Sequence, residues 1–114
     1  MIFAEILEKR IKYYSENNPE AIYNLYHKNS KFKEFFPTFE VYKTHFDKLI
    51  SDHLPINVEV FRENQTDDKA EALYIEIFKY GETIKKFYSK TTFVLENNEW
   101  LIIDEKREEQ VIKD

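Results

Sequence analysis

The sequence predicts an α+β fold: three N-terminal helices packed on a curved antiparallel sheet of four or slightly more strands. Three observations carry that prediction. In the first half of the chain, apolar residues recur at spacings of three and four, the period of a helix with one buried face. Over residues 56–109 they fall in strand-like segments that alternate with a period of two. Those segments are separated by one polar loop and two short turns, and connections this short favour antiparallel neighbours in chain order.

Ile2, Phe3, Ile6, Leu7, Arg10, Ile11 and Tyr14 form one stripe on a first helix that runs to about Asn17. Arg10 interrupts the stripe; its stem can lie on the apolar surface with its head in water. Asn17, Asn18 and Pro19 mark a break. Asn18 suits the cap of a second helix, Pro19 its first position and Glu20 its first turn. Ala21, Ile22, Leu25 and Tyr26 face inward, and the helix fades over residues 27–30. Phe32, Phe35 and Phe36 are too apolar for a free loop, so residues 30–37 are expected as a short turn or strand plugging one end of the core. Thr38 caps a third helix whose inward face carries Phe39, Tyr42, Phe46, Leu49 and Ile50, and which ends near His53, ahead of Pro55.

Strands are expected at about 56–63, 71–80, 83–96 and 100–109. Gln65 to Lys69 is a polar connection, the turn at 80–82 holds Gly81, and Asn97 and Asn98 tolerate the left-handed backbone of a tight turn. The residues from about Gln110 are expected to fray. Alternation sets Leu73, Ile75 and Ile77 on one face of the second strand and Tyr74, Glu76, Phe78 and Tyr80 on the other. In the third, Phe87, Phe93 and Leu95 oppose Lys86, Tyr88, Lys90, Thr92 and Val94. In the fourth, Leu101 and Ile103 oppose Trp100, Ile102 and Asp104. One face is aliphatic and the other mixes aromatics with charge. The surplus of apolar residues points to self-association through the sheet, to a cavity between helices and sheet, or to both.

Composition narrows the chemistry. A chain of 114 residues is naturally one domain, 1–114. The absence of cysteine removes disulfides, thiolate metal sites and cysteine nucleophiles. With one glycine, the chain holds neither a dinucleotide fingerprint nor a phosphate-cradling loop. Formal charge is −5, from 17 basic and 22 acidic residues, which gives no broad attraction to nucleic acid. Lys79, Lys85, Lys86 and Lys90 form a local basic hairpin, expected as a solvated face. Glu5 and Glu8 break any signal-peptide core and no later run is long enough to span a membrane, so a soluble, cytoplasmic protein is expected.

Three stretches together resemble the nuclear transport factor 2-like (NTF2-like, cystatin-like) superfamily. They are the opening helix followed by Asn18-Pro19-Glu20-Ala21-Ile22-Tyr23-Asn24-Leu25-Tyr26, the helix over 42–49 leading into long strands, and the closing strand Asn98-Glu99-Trp100-Leu101-Ile102-Ile103-Asp104-Glu105. The resemblance covers nearly the whole chain. It implies a sharply curved sheet around the helices, a cone-shaped cavity and dimers through the outer sheet. The superfamily includes isomerases, dehydratases, cyclases and pure binding or adaptor domains. Its usual extra hairpin before the third helix has almost no room in residues 29–37, which implies a smaller or closed pocket.

Within such a cone the candidate polar residues are Glu76, Asp104, Tyr74 and Tyr88. A shielded carboxylate gains a raised pKa and serves as a base, and a nearby tyrosine can donate to an oxyanion. The plainer expectation is that Glu76 and Asp104 pair with Lys86 or Lys90 across strands at the surface. His45 is a candidate base partnered by Asp104, against the plainer reading of a surface helix histidine. Tyr42, Tyr74, Phe78, Tyr88 and Trp100 are the candidate ligand contacts. The three histidines form no metal set and no cofactor is expected. The sequence thus points to a non-catalytic homodimeric domain that binds a small apolar ligand or a protein partner. The alternative is a small isomerase- or dehydratase-like enzyme using a pocket carboxylate or histidine, and a third reading is a nucleic-acid accessory role through the basic hairpin.

Overall fold

A computed structural model describes residues 2–109. The helices are α1 (Ile2–Ser15), α2 (Pro19–Tyr23), α3 (Lys31–Phe35) and α4 (Phe39–Leu49). The strands are β1 (His53–Gln65), β2 (Lys69–Tyr80), β3 (Thr83–Glu96) and β4 (Glu99–Glu109). The expected fraying from Gln110 lies outside the described residues.

The predicted caps form. The Asn18 side chain accepts a hydrogen bond from the Ala21 amide at 3.2 Å and the Thr38 side chain one from the Val41 amide at 3.3 Å. The segment expected as a turn or strand is instead the short helix α3. Ser30, fully buried, caps it by accepting from the Lys33 amide at 3.2 Å. The helix lets Phe32 stack on Tyr26, with ring centroids 3.8 Å apart. The third predicted helix, here α4, stops at Leu49 rather than near His53. His53 already belongs to β1, because Pro55 disfavours helical backbone just before it and His53 pairs with Tyr80.

The sheet is antiparallel throughout, in the order β1-β2-β3-β4. The turn between β2 and β3 uses Gly81 at φ 59°, and that between β3 and β4 uses Asn97 and Asn98 at φ 52° and 63°. Register shifts interrupt β1 near Ile56 and Phe61 and β4 at Ile103. Such bulges bend a strand and increase its twist, which curls the sheet about the helices. The free edge of β4 is partly covered. The His27 amide donates to the Ile102 carbonyl at 2.8 Å, and the Ile102 amide to the Leu25 carbonyl at 2.9 Å.

The inner face carries Ala70, Ala72, Tyr74, Glu76 and Phe78 of β2 and Ser89, Thr91 and Phe93 of β3, all buried. The small side chains of Ala70 and Ala72 leave room for Phe3, whose ring lies 4.9 Å from that of Phe93. Phe3, Leu7, Ile22, Tyr26, Tyr42 and Phe46 complete the core from the helices. On the outer face β2 presents its aliphatic side between charged neighbours on β1 and β3. Leu73, Ile75 and Ile77 are half-buried there, beside Phe61 at 59 % exposed and Tyr88 at 46 %. No helix covers it among the described residues.

Candidate functional site

The site grows from the charged residue in the apolar stripe of α1. Arg10 does not keep its head in water, because its side chain is 1 % exposed. A guanidinium taken out of water is tolerated only when paired and hydrogen-bonded. Its partners come from β2, from β4 and from the connection after α2. Nη1 donates to the Tyr26 hydroxyl at 3.0 Å and to the Glu105 carboxylate. Nη2 donates to the Tyr74 hydroxyl at 3.1 Å and to Glu76 Oε2 at 3.4 Å. The Tyr26 hydroxyl donates to Glu105 Oε2 at 2.9 Å, and Tyr74 shares a hydrogen bond of 2.7 Å with Thr91. Arg107 closes the set, its Nη2 lying 2.9 Å from Glu76 Oε1.

The β4 bulge decides which acid joins the network. Unbroken alternation carries Asp104 inward with Ile102. In the structure Ile103 has no cross-strand partner, Asp104 sits opposite Thr92 on the outer register, and Glu105 sits opposite Thr91 on the inner one. Asp104 instead borders a separate hollow of about 150 Å³ beneath α3, 3.8 Å from Lys31 Nζ. The expected surface pairing of Glu76 and Asp104 with Lys86 or Lys90 is therefore corrected. Glu76 is 1 % exposed between two arginines, and Lys90 lies 3.6 Å from Glu71.

The network balances two cations against two carboxylates. Burial pushes the Glu105 carboxyl up, but the charges of Arg10 and Arg107 outweigh it and hold the group below the usual carboxylate range. Burial pushes the phenols of Tyr14, Tyr26, Tyr42 and Tyr74 upward, so all four are neutral hydroxyls near neutral pH. A carboxyl depressed on folding contributes stability above its unfolded pKa of about 4.3, and that contribution is lost as pH falls through the folded value. Urea midpoints are therefore expected to fall below about pH 4.3, and Glu105→Gln to flatten that fall. An unchanged acid limb in the variant contradicts the assignment.

Beside the network, between α4, α3 and the inner face, lies a cavity of about 270 Å³. Tyr14, Tyr26, Tyr42, Glu105 and Arg107 supply its polar side. Phe32, Phe36, Phe46, Phe78 and Tyr80 supply most of its apolar wall. The Arg107 guanidinium stacks 5.0 Å over the Phe78 ring, and its side chain is 41 % exposed. His45 and His53 also border the space. His45 is exposed and lies 4.8 Å from Phe36 between ring centroids; His53 meets Tyr80 edge-on at 4.4 Å. The His53 Nδ1 is buried without a hydrogen-bond partner among the described residues.

The sequence candidates scatter across this geometry. Tyr42, Phe78 and His45 line the cavity. Tyr74 and Glu76 belong to the adjoining network, and Tyr88 stands on the outer face opposite Ile75. Trp100 packs edge-on against Phe3 at 5.0 Å, away from the cavity. His45 and Asp104 border different hollows and form no pair. Sequence reasoning missed Arg10, Tyr26, Glu105 and Arg107 as a set. The signal for it was Arg10 in the middle of an apolar stripe, which demands a buried carboxylate when no water is near. Among the described residues no group of three or more His, Asp or Glu side chains is placed to hold a metal ion, and no helix is long and apolar enough to cross a membrane.

No protein-family model and no curated protein matches the sequence. Solved structures do match in shape. An NTF2-like protein from Cytophaga hutchinsonii superposes with a TM-score of 0.68 at 12% identity, over 96% of this chain and 96% of its own. The fold is that of the NTF2-like proteins. Bd1075 of Bdellovibrio bacteriovorus matches at a TM-score of 0.72 and 12% identity over 97% of this chain, which spans 40% of that protein. A SEC-C motif containing protein from Rhodopseudomonas palustris matches at 0.70 and 10% identity, over 89% of this chain and 74% of its own. At these identities the likeness is one of fold. The NTF2-like fold carries both catalytic and non-catalytic proteins, so function rests on the site.

Proposed function

We propose that the chain is a non-catalytic, homodimeric binding domain that holds a small, mainly apolar ligand in the cavity between α4 and the sheet. One observation carries the reading: both carboxylates of the network are already paired with arginine, and Glu105 is held ionised. A general base works best with a pKa near the operating pH, and a carboxyl pushed below its usual range is a weaker base than an ordinary one. His45 is exposed and packs against the Phe36 ring, whereas a catalytic histidine is normally oriented by a hydrogen-bonding partner. This disfavours the isomerase- or dehydratase-like alternative.

The volume supports a small occupant. At about 270 Å³ the cavity exceeds the ~150 Å³ that admit a benzene ring, and falls near the ~300 Å³ lower end of small-molecule sites. Its wall of aromatic rings favours a flat apolar body. The exposed Phe61 and Tyr88, beside the half-buried Leu73, Ile75 and Ile77 on the outer face of the sheet, support the homodimer as an apolar stripe flanked by charged neighbours. Titration with indole, followed by amide chemical shifts, tests the ligand reading. Saturable shifts are expected at Phe36, Tyr42, Phe46 and Phe78. Absence of saturable shifts at these positions contradicts it.

A further inference from the structure

We infer that the cavity selects a small aromatic carboxylate, a single ring bearing one anionic group, with Arg107 receiving the charge. The inference rests on the proposed binding function and adds the chemistry of the ligand. Among the described residues Arg107 is the one arginine or lysine on the cavity wall, and the one carboxylate within ion-pair distance of its guanidinium there is that of Glu76, 2.9 Å from Nη2. A guanidinium carries five N–H donors in a planar fork that matches a carboxylate. Stacked over Phe78, that fork lies against the aromatic wall where a ring would sit.

The carboxylates do not oppose an incoming anion as free charges would. Glu105 is engaged by Arg10 and by the Tyr26 hydroxyl, and Glu76 by Arg10 and Arg107. A cationic ligand, by contrast, would meet Arg107 without an unpaired carboxylate to receive it. A second feature points the same way. The half-buried His53 side chain, whose Nδ1 has no hydrogen-bond partner among the described residues, borders the same space. The protein's formal charge of −5 slows the approach of anions from afar, so selection is local and survives added salt better than a surface contact would.

Benzoate and benzamide differ little in shape and mainly in charge, and their binding by the wild-type protein is compared by calorimetry or amide shifts. Benzoate is expected to bind about tenfold tighter, the gain of a charge-assisted bidentate contact over a neutral one. Arg107→Met is expected to bring the ratio of the two affinities to about one, whatever it does to either affinity alone. Equal wild-type affinities, or tighter benzamide, overturn the inference and leave the apolar-ligand reading standing. If neither compound binds, both fail. The wild-type comparison needs no variant, so a poorly folded Arg107→Met does not shelter the proposal.

Discussion

Arg10→Met is expected to lower folding stability by about 3–5 kcal/mol, measured by urea denaturation at neutral pH. Methionine can fill much of the space of the arginine stem, so the loss arises chiefly from what remains. Glu76, almost fully buried, keeps only Arg107, and Glu105 keeps only the Tyr26 hydroxyl as a direct donor. The hydroxyls of Tyr26 and Tyr74 lose a donor as well. Removing one member of a buried ion pair strands the other, which costs more than the pair itself contributes. Against a typical total of about 5–15 kcal/mol, such a loss leaves the variant partly unfolded near its growth temperature. The double variant Arg10→Met with Glu105→Gln is expected to cost at least about 1 kcal/mol less than the two single losses combined, because the two residues share one interaction. Additive losses contradict the network.

The fold was legible because its signals are local and periodic. The strand faces could be read from Leu73, Ile75 and Ile77 against Tyr74, Glu76 and Phe78, and the caps from Asn18 and Thr38. Helix α3 was not, since five residues rich in phenylalanine give no period, and only the Ser30 cap marks its start. The site was less legible for a different reason. Alternation is a rule about unbroken strands, and the unpaired Ile103 exchanged Asp104 for Glu105 on the inner face. Arg10 was read as a surface cation because snorkelling is the commoner fate of an arginine on a helix stripe. Its true partners lie 66 and 95 residues away, at separations that no sequence period reports.

Ile75→Lys is expected to convert the proposed dimer to monomer, with at least a hundredfold weaker self-association by sedimentation, while the chain stays folded. Ile75 lies on the outer face of β2, opposite Glu59 on one side and Tyr88 on the other. In a monomer a lysine there reaches water and faces Glu59, so the inner face and its core are untouched. In a two-fold interface the same lysine is buried near its copy or against apolar surface, where an unpaired charge costs several kcal/mol. Loss of the indole shifts in this variant is not expected, because the cavity opens on the other side of the sheet. A wild-type protein that sediments as a 13.9 kDa monomer at every concentration contradicts the dimer, whatever the variant does.

Glu105, beside the cavity, serves as a paired, ionised structural group rather than as a poised base. A pH titration of the Glu105 side-chain carboxyl by carbon-detected NMR tests it most directly. Glu105 is expected to stay ionised on acidification until below the usual carboxylate range, with its midpoint moving upward in folded Arg10→Met. A Glu105 carboxyl that takes up its proton near neutral pH is instead a poised base, and restores the enzymatic reading.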